Sequence, residues 1–146
     1  MKTNIFNVAE FILEQKGSMS AMKLQKLVYY SQAWALVWDD KELFDNRIEA
    51  WANGPVSPEL YDKHRNSYTI YPEMFSLNVG SSLSEEAKET ISTVLEAYGD
   101  KSAQWLSDQT HEEQPWKEAR RGLSDMARSN RIITCAAMAE YYGSIV

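Results

Sequence analysis

The chain has 146 residues, 44% of them apolar and 25% charged, with a formal net charge of −6. That is about one domain of sequence, long enough to bury a core without disulfide or metal staples, and its acidity removes any general attraction to phosphate backbones. A single cysteine, Cys135, excludes an intrachain disulfide; no run approaches the roughly 18 apolar residues of a membrane span, and the N-terminus lacks the basic start and apolar stretch of a signal peptide, so a cytoplasmic protein is expected.

The spacing predicts a first helix over residues 4–16, with Ile5, Val8, Phe11 and Ile12 inward and Gly17 at the left-handed position that ends it. Ser18 or Ser20 caps a second helix over 20–38. Leu24, Leu27, Val28, Ser31, Ala35 and Trp38 form its inward stripe, and Tyr29, Tyr30, Ala33, Leu36 and Val37 make most of the other side apolar. A helix apolar nearly all round belongs in the middle of its domain. Over 41–56 the spacing changes to period two around Asp45-Asn46, predicting a short hairpin with 48–52 as its better strand, broken by Asn53-Gly54-Pro55. Ser57-Pro58-Glu59 starts a helix to about residue 66, with a hydroxyl cap, proline at the first helical position and an acid in the first turn. Residues 67–82 read as a loop with one short strand around 68–71, and Ser84 opens a helix closed by Gly99. Ser102 caps a helix to residue 110, Pro115 begins one to residue 121, and Thr134 caps a last one to residue 142, after a loop or weak helix over 122–131.

Few residues are arranged for chemistry. His64 and His111 stand in separate segments, with no second His or Cys three or four residues away, so neither a metal nor another cofactor is expected. Glu112 and Glu113, just before Pro115-Trp116, read as acids complementing the next helix's N-terminus. Cys135 lies in the apolar run 132–137 and reads as a small buried hydrophobe. The five Trp and eight Tyr are not interleaved with Lys and Arg as a base-stacking groove requires, so no nucleic-acid partner is expected, nor a membrane one. Residues 48–115 carry twelve acidic groups against four basic ones, whereas 116–146 hold five basic against three acidic. An acidic domain rich in aromatics fits a protein-interaction module facing a basic partner.

Ordered blocks then carry a family resemblance. The first is Leu24-Gln25-Lys26-Leu27-Val28-Tyr29-Tyr30-Ser31-Gln32-Ala33-Trp34. Leu43-Phe44-Asp45 follows, then Ile48-Glu49-Ala50-Trp51-Ala52-Asn53-Gly54-Pro55-Val56 and Ser57-Pro58-Glu59-Leu60-Tyr61. Leu83-Ser84, Tyr98-Gly99, Leu106-Ser107, the block Thr110-His111-Glu112-Glu113-Gln114-Pro115-Trp116-Lys117-Glu118-Ala119-Arg120 and the terminal Tyr141-Tyr142 complete the series. In these the chain resembles the Panacea domain, or SocA-like antitoxin family, once described only as a phage-associated domain of unknown function, over roughly residues 4–143. The resemblance implies an antitoxin that neutralises a cognate toxin by direct binding, without enzymatic activity. It also implies an alternative, an adaptor that binds a host protein or delivers its target to a protease. Some members carry an added DNA-binding domain, for which this chain has no room outside the matched region. A third reading, an enzyme using His111, comes from the residues alone.

The expected architecture is a mainly α (α+β) single compact domain spanning 1–146: six to seven helices around a central buried one, with a short hairpin or small antiparallel sheet. Gly54-Pro55 is read as a strand-to-helix turn, Pro58 as a helix start, and Pro115-Trp116 as another that drops Trp116 into the core. Lys26, Gln32, His111 and Arg120 have two readings. Either they satisfy one another in a polar network beside the central helix, or they line a partner-facing cleft with Tyr29 and Trp51.

Overall fold

The computed structural model describes residues 4–75 and 83–146. Within them the chain is mainly α with small antiparallel sheets. Seven α-helices occur among the described residues: α1 (Ile5–Lys16), α2 (Ala21–Trp38), α3 (Pro58–His64), α4 (Glu85–Tyr98), α5 (Ala103–His111), α6 (Gln114–Ala119) and α7 (Cys135–Ser144). Five short strands accompany them: β1 (Met19–Ser20), β2 (Ile48–Trp51), β3 (Gly54–Val56), β4 (Thr69–Ile70) and β5 (Ile132–Ile133).

Helix starts follow local chemistry. Ser20, Ser57, Ser84, Ser102 and Thr134 each sit in extended backbone and accept an N–H from the first turn, relieving one of its orphan donors. Gly17 ends α1 at φ +84°, a value costly for a residue with a Cβ, and its N–H reaches Leu13 O at 2.7 Å. The extended ψ there sends the chain straight into β1.

α2 is the centre of the molecule. It packs against α1, α4, α5, α7 and β3, and all twelve residues over 24–35 are buried. Trp38, expected in the inward stripe, is 44% exposed instead and stacks on Trp34 with ring centroids 5.0 Å apart. It lies beyond the stretch that the other helices cover.

The polar groups of this buried helix reach their partners across the fold. Gln32 accepts the Leu43 N–H at 2.7 Å and donates to Phe44 O at 2.8 Å, fixing the loop that leads to β2. Tyr30 OH donates to Glu113 Oε1 at 2.8 Å, and Tyr142 OH donates to the same oxygen at 2.7 Å. Tyr142 thereby spends its proton, so Tyr29 OH donates to Tyr142 OH at 3.0 Å. Burial pushes all three phenols well above their ordinary pKa, which keeps them as donors. Gln109 Nε2 binds the second oxygen of Glu113 at 3.1 Å. Glu113 occupies the N-cap position of α6, but its side chain makes no cap bond. The expectation that it complements that helix's N-terminus is therefore corrected: its carboxylate turns inward and ties α2, α5 and α7 together.

The hairpin is displaced by one turn from its predicted place. Residues 43–47 form no strand, and β2 pairs instead with β3, with Ala50 opposite Pro55 and Trp51 opposite Gly54. Gly54 and Pro55, expected in a strand-to-helix turn, belong to this returning strand. Strand order is β3-β2-β5, so Pro55 lies on an edge, where a missing N–H breaks no ladder bond. β5 pairs with β2 on its other side, Ile48 opposite Ile133. The strand expected around 68–71 is β4, and it pairs with β1. The remainder of the predicted 67–82 loop, residues 76–82, lies outside the described residues. Pro58 starts α3 as predicted, and α3 ends at His64, before residue 66. Pro115 lies in the first turn of α6, and Trp116 is buried with its Nε1 donating to Trp51 O at 2.8 Å.

Glu113→Ala leaves two buried hydroxyls without their acceptor. It should lower unfolding free energy in urea by roughly 3 kcal/mol, while Glu112→Ala, on the exposed side of the same loop, changes it by less than about 0.5 kcal/mol.

Candidate functional site

A cleft of about 820 Å³ opens between the start of α2, the β2–β3 hairpin, α3 and the segment before β5. Trp51 and Tyr61 form an aromatic wall, their rings edge to face at 5.1 Å, and Met22 and Tyr61 are exposed there. Glu49 lies in the wall with its carboxylate occupied: Arg47 Nε donates to it at 2.7 Å and Trp51 Nε1 at 2.9 Å.

Gln25 and His64 hold one side of the cleft rigid. The Ser57 N–H donates to Gln25 Oε1 at 2.9 Å, which fixes the orientation of the amide. Gln25 Nε2 donates to Ser57 O at 3.3 Å and lies 3.0 Å from His64 Nε2. That histidine nitrogen must then be an acceptor, so His64 is neutral with its proton on Nδ1. Burial accordingly pushes its pKa below the ordinary value, partly opposed by its own backbone group.

Lys26 lines the same cleft and is 1% exposed. Its ammonium makes no hydrogen bond or ion pair among the described residues. Gly54 gives it passage: a Cβ at that position would collide with Lys26 Cε and stand 3.1 Å from Thr110 Oγ1. Gly54 also has φ +123°, which an L side chain rarely adopts. Two requirements thus meet at one residue, a left-handed backbone and the close approach of a lysine stem. With no carboxylate to favour the charged form, burial pushes the Lys26 pKa from 10.5 down to about 8.

The predicted site residues divide accordingly. Lys26 and Trp51 share the cleft. Tyr29 and Gln32, expected as partner contacts, are buried and bonded to Tyr142 and to residues 43–44, which makes them parts of the scaffold. Arg120 is also internal. Its guanidinium donates to Ala50 O, Ser124 O, Asp125 O and Ala127 O at 2.8–3.3 Å, holding the loop after α6 against β2. His111 stacks on Trp116 at 4.0 Å and does not line the cleft. Its Nε2 is buried without a hydrogen-bond partner among the described residues, and burial, then the Lys26 charge, push its pKa down. Lys26, Gln32, His111 and Arg120 therefore do not form the single polar network offered as one reading. Gln25, Glu49, Tyr61, His64 and Arg128 were not anticipated. Only Gln25 gave a signal, as one of the few polar residues on a mostly apolar helix. Cys135 is half-buried, with Sγ 3.5 Å from Glu42 Oε2; burial and that carboxylate push the thiol's pKa up, away from a nucleophile's range.

The family model described as "Antitoxin SocA-like, Panacea domain" matches residues 24–117. The chain belongs to this family. The matched span runs from the Lys26 helix through the hairpin and α3 to Trp116, and so contains Lys26, Trp51, Gly54 and Tyr61 together. Neither a curated protein nor a solved structure matches the chain. No helix among the described residues is long and apolar enough to cross a membrane.

Lys26 carries a measurable cost. The unfolded chain binds its proton up to about pH 10.5, the folded chain only up to about pH 8. Lys26 should therefore make stability rise with pH from about 8, until the raised phenols of Tyr29, Tyr30 and Tyr142 reverse the trend near pH 10; below pH 8 the full penalty, on the order of 3 kcal/mol, persists. Lys26→Met, which keeps the stem and removes the charge, should raise unfolding free energy at pH 7 by roughly 1–3 kcal/mol and abolish the rise above pH 8. Denaturant titrations of both proteins across that range check this. His64 acts in a separate window: the unfolded imidazole protonates near pH 6.5 and the folded one only below that, so stability falls as pH drops through this range, and His64→Gln should reduce that fall, with His111 supplying the remainder.

Proposed function

We propose that this chain is the antitoxin of a toxin–antitoxin pair, acting in the cytoplasm, and that it neutralises its cognate toxin by protein–protein contact without chemistry of its own. The carrying observation is membership of the SocA-like antitoxin family over residues 24–117, which supply most of the cleft's lining, though not Met22 or Arg128. The cleft has the composition of a binding surface: Met22, Trp51 and Tyr61 offer adaptable and aromatic contact area beside a rigid wall. A buried charge without a partner costs stability, and Lys26 is such a charge within this surface. The enzyme reading draws no support from the geometry, since His111, Glu112 and Arg120 do not share the cleft and Arg120 spends its donors on backbone carbonyls.

Co-expression with the product of the neighbouring reading frame tests the reading. That product alone should arrest growth; this chain should restore growth and copurify with the product. The double variant Trp51→Ala/Tyr61→Ala should remain folded and bind at least about thirtyfold more weakly, as loss of interface anchors predicts. A harmless neighbour, or growth restored without a complex, contradicts the proposal. Capture of a protease unfoldase with no small toxic product would make the chain an adaptor instead.

A further inference from the structure

The cleft carries one feature that a simple apolar docking surface would lack. Lys26 sits at its inner side almost completely buried, with no carboxylate, carbonyl or hydroxyl bonded to its ammonium among the described residues. The neighbouring polar groups make their hydrogen bonds elsewhere. Gln25 is held by Ser57 and His64, and Thr110 donates its hydroxyl proton to Ser107 O at 2.7 Å. The carboxylate of Glu49 is engaged by Arg47 and Trp51. Arg128, at the outer edge, likewise makes no ion pair among the described residues. Both unpaired charges in the cleft are therefore positive, and the deeper one is already desolvated.

We propose that the cleft receives an Asp or Glu side chain of the bound toxin, whose carboxylate pairs with the Lys26 ammonium. This deepens the antitoxin reading and rests on it.

Three observations favour that occupant. A single buried cation is neutralised by a single negative charge, which a carboxylate supplies. A phosphate dianion would meet the Glu49 carboxylate in the wall with one buried cation to balance it. The chain's net charge of −6 also opposes a free dianion more strongly than a single carboxylate. A carboxylate fixed to a docked protein is delivered by the rest of the interface, at high effective concentration. Finally, Met22, Trp51 and Tyr61 around the entrance suit the apolar stem and neighbours of such a side chain, and they exclude water from the pair once it forms. The desolvation of Lys26 is borne in the free protein, so less of it opposes the encounter.

The test compares binding of the neighbouring-frame product to the wild-type chain, Lys26→Met and the control Lys88→Met, a half-exposed lysine on α4 outside the cleft lining. Lys26→Met should weaken binding at least about thirtyfold without lowering the melting temperature of the free chain, and Lys88→Met should change it less than about twofold. Replacing the toxin's acids one at a time by their amides should find one that reproduces the loss against wild type and adds nothing against Lys26→Met. Equal binding by Lys26→Met overturns the proposal while leaving the antitoxin reading intact. If the wild-type chain does not bind the product, the antitoxin reading fails, and a second experiment decides the site alone. N-acetyl-aspartyl amide, N-acetyl-asparaginyl amide and inorganic phosphate are titrated into the free chain, with the Trp51 indole and Gly54 amide signals followed by NMR. Saturable shifts from the aspartyl compound alone, absent in Lys26→Met, support a carboxylate site. Equal shifts from the asparaginyl compound, shifts from phosphate only, or none at all overturn it.

Discussion

A helix buried on every side must find partners for all its polar side chains within the protein. α2 meets this demand at nearly every position. Ser31 bonds the backbone of its own helix at Leu27 O, 2.8 Å away; Gln32 ties down residues 43–44; Tyr29 and Tyr30 join the Glu113–Tyr142 cluster; and Gln25 holds the Ser57 cap together with His64. Each bond also positions another element, so the needs of one helix organise the hairpin, α3, α5 and α7 around it. Unmet, each would leave a buried polar group at a cost of about 1–3 kcal/mol. Lys26 is the position where the demand is not met, and it lines the cleft beside Gln25, whose demand is met.

The hairpin supplies the complementary constraint. Gly54 lies on β3, opposite Trp51, with a backbone that disfavours a side chain and with the lysine stem against it. Arg120 and Trp116 fasten the other edge of the hairpin, through Ala50 O and Trp51 O. The aromatic wall is thus carried on a clamped strand pair, and Gln25 clamps α3 beside it. A rigid frame of this kind limits the ordering entropy paid on association, which suits a surface meant to hold one partner firmly.

What could be read from the sequence was what local chemistry determines. The hydroxyl caps at Ser57, Ser84, Ser102 and Thr134 and the all-apolar pattern of α2 gave the helices nearly at their observed bounds. The hairpin was displaced because Pro55 argues against a strand until the strand is known to be an edge, and edges are decided by β5, more than seventy positions further along. Glu113 was misread for a related reason. An acid just before Pro115-Trp116 resembles a helix-end charge, whereas the hydroxyls that bind it lie 83 and 29 residues away in the chain. Within the cleft, Lys26 and Trp51 stood out in their own segments. Gln25, Tyr61 and His64 became site residues only through their contacts. Arg120 looked like a binding residue because an isolated arginine gives no hint that four backbone carbonyls will occupy it.

The state of one ammonium group in the free protein decides whether the cleft holds an unsatisfied cation. Titration of the chain with 13C-labelled lysine, following the Lys26 side-chain signal from neutral to strongly alkaline pH and assigning it by its loss in Lys26→Met, measures that state directly. A midpoint near 8 is expected, against about 10.5 for an ordinary lysine. A midpoint at or above the ordinary value would mean that Lys26 is solvated or already paired, and would contradict the claim that the cleft holds an unsatisfied cation.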